Sequence, residues 1–157
     1  MKIKLISIGK TEEKYLKEGL DLYCKKLIHY FPFQYEELPA IKQTKSLTQH
    51  EQKKREGEVI LKKIAPTDIL VLLDETGIRY SSVEFSVFLQ QQMLQNNKQL
   101  VFVIGGPYGF SQEVYSRKNY LVSLSNMTFS HQMVRLIFLE QLYRAASILK
   151  NEPYHHE

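Results

Sequence analysis

The stretch LVFVIGGPYGF, residues 100–110, runs from five apolar residues straight into a loop with three glycines. A continuous apolar run of this length is the pattern of a strand buried on both faces. DILVLLD at 68–74 repeats it. KIKLISI at 2–8 alternates and is β-branched, YLVSLS at 120–125 reads as a further strand, and FQYEEL at 33–38 reads as a more polar strand near a sheet edge. Between these strands the apolar spacing becomes helical. Helices are predicted over 11–29, 48–64, 81–96, 111–117 and 130–150. Strands that alternate with helices and are buried on both faces mean α/β, with a mostly parallel sheet flanked by helices. No linker, repeat or low-complexity segment interrupts residues 1–157, so one domain is expected.

The helix ends carry local signals. Ser81 followed by Glu84 is a capping box. Thr11, Ser111 and Ser130 are the expected caps of their helices, and Pro66 stops the helix before it. Leu16, Leu20, Tyr23, Cys24, Leu27 and Ile28 share one face of the first helix, which makes Cys24 a core residue rather than a nucleophile.

Composition narrows the class. The net charge is +4, and it is uneven: residues 1–64 carry +5 and residues 65–157 carry −1. A basic half of this size permits a polyanionic partner without requiring one. No apolar run reaches the roughly 18 residues of a membrane span. The first residues lack the pattern of a signal peptide. With a single cysteine there is no disulfide framework. A cytoplasmic location, with no membrane partner, is expected.

Three strands end in polar or glycine-rich loops: LLDETGIRYSS, VIGGPYGFS and VSLSNMTFSHQ. In open α/β sheets ligands bind beyond the carboxyl ends of strands, so the three loops point to one shared pocket. That pocket is not expected to cradle phosphate. No lysine follows Gly105, Gly106 or Gly109 as a Walker loop requires, and Pro107 removes a backbone donor. Bare glycine backbone instead suits close approach to a flat neutral or cationic ligand. No metal site is expected. His29 and His50 are isolated, and the adjacent His155 and His156 lie in a tail before Glu157. No G-x-S-x-G elbow marks a nucleophilic serine.

SHQMVRLIFLEQLYRAA at 130–146 is apolar around nearly its whole circumference. A helix of this kind is buried on all sides, which in a small chain calls for a homodimer interface. Glu140 and Arg144 form a favourable i,i+4 pair on it, and His131 and Arg135 share a face in its first turns.

Taken together, VIGGPYG, LSNMTFSHQMVRLIFLEQLYRA and the terminal PYHHE resemble the RlmH family of SPOUT-class methyltransferases. The opening KIKLISIGK and the LLDETG loop extend the resemblance over the full chain. It implies a C-terminal trefoil knot, which general rules of chain topology argue against. It implies a homodimer that uses S-adenosyl-L-methionine to methylate N3 of a pseudouridine in helix 69 of 23S rRNA. The position is usually numbered 1915, and the substrate is the assembled 70S ribosome. Carried over by motif, the cofactor contacts are Leu73, Gly105, Leu124, Ser125, Asn126, Met127, Thr128 and Phe129. For the RNA chemistry the resemblance points to Tyr154, His155 and Arg135: His155 as proton acceptor, Tyr154 as stacking partner, Arg135 as anion ligand. His156 stands where many relatives have a basic residue. Two other readings stay open: a non-catalytic ribosome-binding module, and a SPOUT enzyme that methylates ribose 2′-oxygen.

Overall fold

The computed structural model describes residues 1–156. Glu157, the last residue of the predicted tail, lies outside them. Five parallel strands form one sheet in the order β2-β1-β4-β3-β5. They are β1 (Lys2–Ile8), β2 (Phe33–Leu38), β3 (Ile69–Arg79), β4 (Gln99–Ile104) and β5 (Tyr120–Ser123). The helices are α1 (Lys14–Leu27), α2 (Gln49–Leu61), α3 (Ser82–Leu94), α4 (Gln112–Arg117) and α5 (Met133–Leu149), with a short 3-10 turn at Thr44–Ser46. The expected α/β alternation is present, and FQYEEL is an edge strand.

Strand pleating sorts the core into two layers. Leu100, Phe102 and Ile104 of β4 face α1, α3 and α5, where they meet Leu20, Phe85, Phe138 and Leu142. Val101 and Val103 face the other way, toward Ile60 of α2 and Val114 of α4. The apolar run that opened the sequence therefore supplies both layers and sits at the centre of the sheet.

Local signals account for most helix starts. Thr48 with Glu51 and Ser81 with Glu84 both form complete capping boxes, and Ser111 accepts from Val114 N–H. Ser130 Oγ accepts from Met133 N–H at 3.1 Å, but α5 begins only at Met133, so its cap position is Gln132, which makes no side-chain cap bond. Thr11 departs from expectation. It lies ahead of α1, whose cap position is Glu13 and has no side-chain cap. Its amide and hydroxyl donate instead to the two Glu37 carboxylate oxygens, at 2.9 Å each. Ile28 also departs: α1 ends before it, and it is 57% exposed. Cys24 packs against the core as expected, and burial followed by the charge of Asp21 pushes its thiol up to about 11.

The largest departure is in β3, which continues past the predicted boundary to Arg79. Val122 of β5 is paired first with Leu73 and again with Ile78, so residues 74–77 arch out of the ladder. Asp74 fixes the arch by accepting from Thr76 N–H at 2.9 Å and from the Thr76 hydroxyl, a local turn that competes with sheet pairing.

Candidate cofactor cleft and C-terminal tail

The segments leaving β3, β4 and β5 enclose a cleft of about 570 Å³ at the carboxyl edge of the sheet. One wall is Leu73 to Thr76, a second Ile104 to Phe110, and a third Val122 to Phe129 without Asn126. Ser130, His131 and Val134 at the start of α5 complete it. Seven of the eight residues expected to contact cofactor thus line one space, and Asn126 is exposed outside it. Sequence reasoning placed Asp74, Tyr108 and His131 in its three loops without naming them as contacts, and it missed Tyr115 and Val134.

The glycines of the loop also pack closely against the protein itself. An added Cβ at Gly105 would lie 3.1 Å from the Phe110 ring. At Gly106 it would lie 2.6 Å from Glu56 Oε2. Gly109 has φ +81°, the left-handed region, and its N–H closes a turn onto Gly106 C=O at 3.2 Å. Close packing at Gly105 and Gly106, and the left-handed turn at Gly109, each favour bare backbone here.

The rest of the cleft is also braced. Tyr115 on α4 donates to Asp74 Oδ2, which ties the 74–77 arch to the opposite layer. Burial works against the Asp74 charge, but the bonds from Thr76 and Tyr115 outweigh it and hold the carboxyl below its ordinary value. Ser123 Oγ donates to Ser125 C=O at 3.0 Å, and Ser125 Oγ accepts from Met127 N–H at 2.9 Å, so the third wall is shaped by its own serines.

Charge narrows the ligand. No lysine or arginine lines the cleft among the described residues, while Asp74 and Glu75 do. A phosphate group finds no cation there. A sulfonium with an ammonium group is matched to this wall, and Leu73, Ile104, Leu124 and Val134 offer apolar surface for an adenine. The donor set and the volume fit S-adenosylmethionine.

The residues expected to handle RNA lie elsewhere. Arg135 is fully buried. Its guanidinium donates to Ile8 C=O at 2.7 Å, Gly9 C=O at 2.9 Å, Thr11 Oγ1 at 3.0 Å and His131 C=O at 2.9 Å. The expected contact with a phosphate or developing anion is not how it is placed here: three of its five N–H donors fasten α5 to the end of β1 and a fourth closes back on His131. It meets His131, just ahead of α5, through the His131 backbone, and His131 is also among the residues that line the cleft.

Tyr154 and His155 dock on α5. Tyr154 stands edge-on to Tyr143, lies under the Arg144 guanidinium, and donates to Glu140 Oε1 at 3.1 Å. The expected Glu140–Arg144 ion pair is present at 2.5 Å. His155 Nδ1 lies 3.3 Å from Arg144 Nη1. Arginine only donates, so Nδ1 is the acceptor in this contact. Neither tail residue lines the cleft. Val134 at the cleft and Tyr143 at the tail are roughly 14 Å apart along α5 at the α-helical rise per residue. His29 and His50 are exposed, and among the described residues no three His, Cys, Asp or Glu side chains come together to hold a metal.

Comparison with known proteins decides the class. The family model described as "Predicted SPOUT methyltransferase" matches residues 1–155. The chain belongs to the SPOUT methyltransferase family. It is 58% identical to the ribosomal RNA large subunit methyltransferase H of Flavobacterium psychrophilum over all of both chains. It is 55% identical to the protein of that name from Parabacteroides distasonis, and 57% to that from Flavobacterium johnsoniae, again over the whole of each. As a SPOUT methyltransferase it uses S-adenosylmethionine, and the non-catalytic reading is set aside. None of its helices is long and apolar enough to cross a membrane among the described residues.

Proposed function

We propose that this SPOUT methyltransferase modifies N3 of the pseudouridine at position 1915 in helix 69 of 23S rRNA, on the assembled 70S ribosome, as a homodimer in the cytoplasm. The observation that carries the reading is the convergence of the β3, β4 and β5 exits on one cleft that has carboxylates and no lysine or arginine. Full-length relatives named for ribosomal RNA large subunit methylation support the RNA substrate. The basic excess of residues 1–64 suits a polyanion of that size. Leu73, Gly105, Leu124, Ser125, Met127, Thr128 and Phe129 would hold the cofactor; Asn126 stays the outlying member of that set. When bound, S-adenosylmethionine supplies an activated methyl group. The protein's own tasks are to align the base and to take the proton from N3.

His155 is the proposed proton acceptor and Tyr154 the stacking partner. Both must leave Arg144 and Glu140 to work. Their separation from the cleft of their own chain favours a site completed by the tail of the second subunit. Half-buried Met133, Leu136 and Ile137 of α5 supply apolar surface for that dimer. The trefoil knot belongs to the same proposal. The chain between β5 and α5 returns from the sheet edge to β1, where Gln132 Nε2 donates to Lys10 C=O at 3.0 Å. This path crosses the exits of β3 and β4, as threading through them requires.

The test is methyl transfer from labelled S-adenosylmethionine to unmethylated 70S ribosomes and to naked 23S rRNA. Nuclease digestion and mass spectrometry then locate the methyl group. N3-methylpseudouridine from 70S ribosomes supports the proposal. A 2′-O-methyl product would transfer the chain to the ribose-modifying reading, and transfer only to naked rRNA would overturn the ribosomal substrate.

A further inference from the structure

Glu56 is a carboxylic acid in the interior with no part in the chemistry above. It is 4% exposed, on α2, in the layer opposite α5. Its hydrogen-bond partner is Gln52, one turn back on the same helix, whose Nε2 donates to Oε1 at 3.2 Å. Burial pushes the carboxyl above its ordinary value, against the opposing pull of that bond. An ion pair is not what keeps it there. What it touches is the glycine loop: both carboxylate oxygens fill the place where a side chain on Gly106 would begin, at 2.6 and 2.7 Å from an ideal Cβ. The next residue of α2, Gly57, is equally close to the far end of that loop, with its added Cβ 2.3 Å from Ser111 Oγ. Helix α2 therefore presses on both ends of residues 106–111 from beneath, while the upper side of the loop forms a wall of the cleft.

We propose that Glu56 is a positioning residue for the cofactor: its carboxyl buttresses Gly106 and sets how far the 105–109 loop reaches into the cleft. This rests on the cleft being the S-adenosylmethionine site. A carboxyl is suited to the task because its flat end fits against a residue without a side chain, and Gln52 fixes its rotation. Alanine leaves a gap that the loop can sink into. Glutamine has the same shape and keeps the support.

Calorimetry of S-adenosylmethionine binding tests this, with thermal unfolding as a check on folding. Glu56→Ala is expected to bind about tenfold more weakly, as loss of roughly 1.4 kcal/mol implies. Its turnover at saturating cofactor should change far less than its KM for the cofactor. Glu56→Gln should restore the affinity to within about twofold. The decisive pair is Gly106→Ala in two backgrounds. Alone it should weaken binding, because the methyl group meets the carboxyl. Combined with Glu56→Ala it should bind better than Gly106→Ala alone, since the methyl enters the vacated space. Wild-type affinity in a folded Glu56→Ala protein would overturn the proposal, as would an equal Gly106→Ala penalty in both backgrounds. Leu124→Glu separates the two levels. If it abolishes binding while the Glu56 variants bind normally, the buttress fails and the site stands. If Leu124→Glu also binds normally, the cleft itself is misassigned.

Discussion

Arg135 shows how a residue noticed for one role can be committed to another. Its guanidinium bridges Ile8, Gly9, Thr11 and His131 in the interior, so truncation strands several buried acceptors at once. Arg135→Ala should destabilise the fold by about 3 kcal/mol or more, read from the urea midpoint. The salt dependence of RNA binding by the fraction that still folds should stay unchanged, since no phosphate contact is lost. Asp74 gives a pH prediction. Its folded value is depressed, so its ties stabilise the protein above the unfolded carboxyl's ~3.9. They are lost as pH falls below that point through the lower folded value. Between pH 6 and pH 3 the wild-type urea midpoint should therefore fall more steeply than that of Asp74→Asn. Cys24, with its thiol pushed up to about 11, should resist alkylation at pH 8 in the native protein and react once unfolded.

At the scale of elements, the 74–77 arch is the most sensitive join. A methyl group on Gly77 would meet Val122 N and C at 2.6 Å, and these are backbone atoms that cannot turn aside. Gly77→Ala should cost about 1–3 kcal/mol in stability and weaken cofactor binding together with it, measured by chemical unfolding and calorimetry on the same sample. The arch also marks where sequence stops being informative. Continuous apolar runs placed β3 and β4 and a capping box placed α3, because those signals act within a few residues. The lining of the cleft was legible because its residues sit together in three short motifs. The continuation of β3 was not, since LLDETGIR reads as a strand followed by a loop unless Val122 is known to pair with it twice. Thr11 was misread for a similar reason. Its partners Glu37 and Arg135 are remote in the chain, and they outbid the local cap. Glu56 looked like one more charge on a polar helix, because only the fold reveals that it lies under Gly106.

For the whole molecule, the proposed homodimer makes two linked predictions. Light scattering at micromolar concentration should give twice the 18.5 kDa chain mass. If each cleft borrows the tail of the other subunit, two inactive variants should rescue one another. Leu124→Glu spoils a cleft and Tyr154→Ala spoils a tail, so unfolding and refolding a mixture should form heterodimers with one intact site. Recovery of about a quarter of wild-type activity per chain is expected from statistical pairing. No recovery, with mixed dimers demonstrated by mass spectrometry, would place each tail at its own cleft.

The grip of Arg135 on the end of β1 joins residues some 126 positions apart in the chain, one made well before the other. Phe138, Leu139, Leu142 and Ala145, also from α5, close the core layer in which Ile3 and Leu5 lie. The strand β1 thus has no complete surroundings until α5 has been made. Contacts of such long sequence separation make folding slow and leave apolar strand surface open in the meantime. A chain cut short of α5 therefore has no finished core to fold around. The yield of folded protein should accordingly rise with chaperone supply.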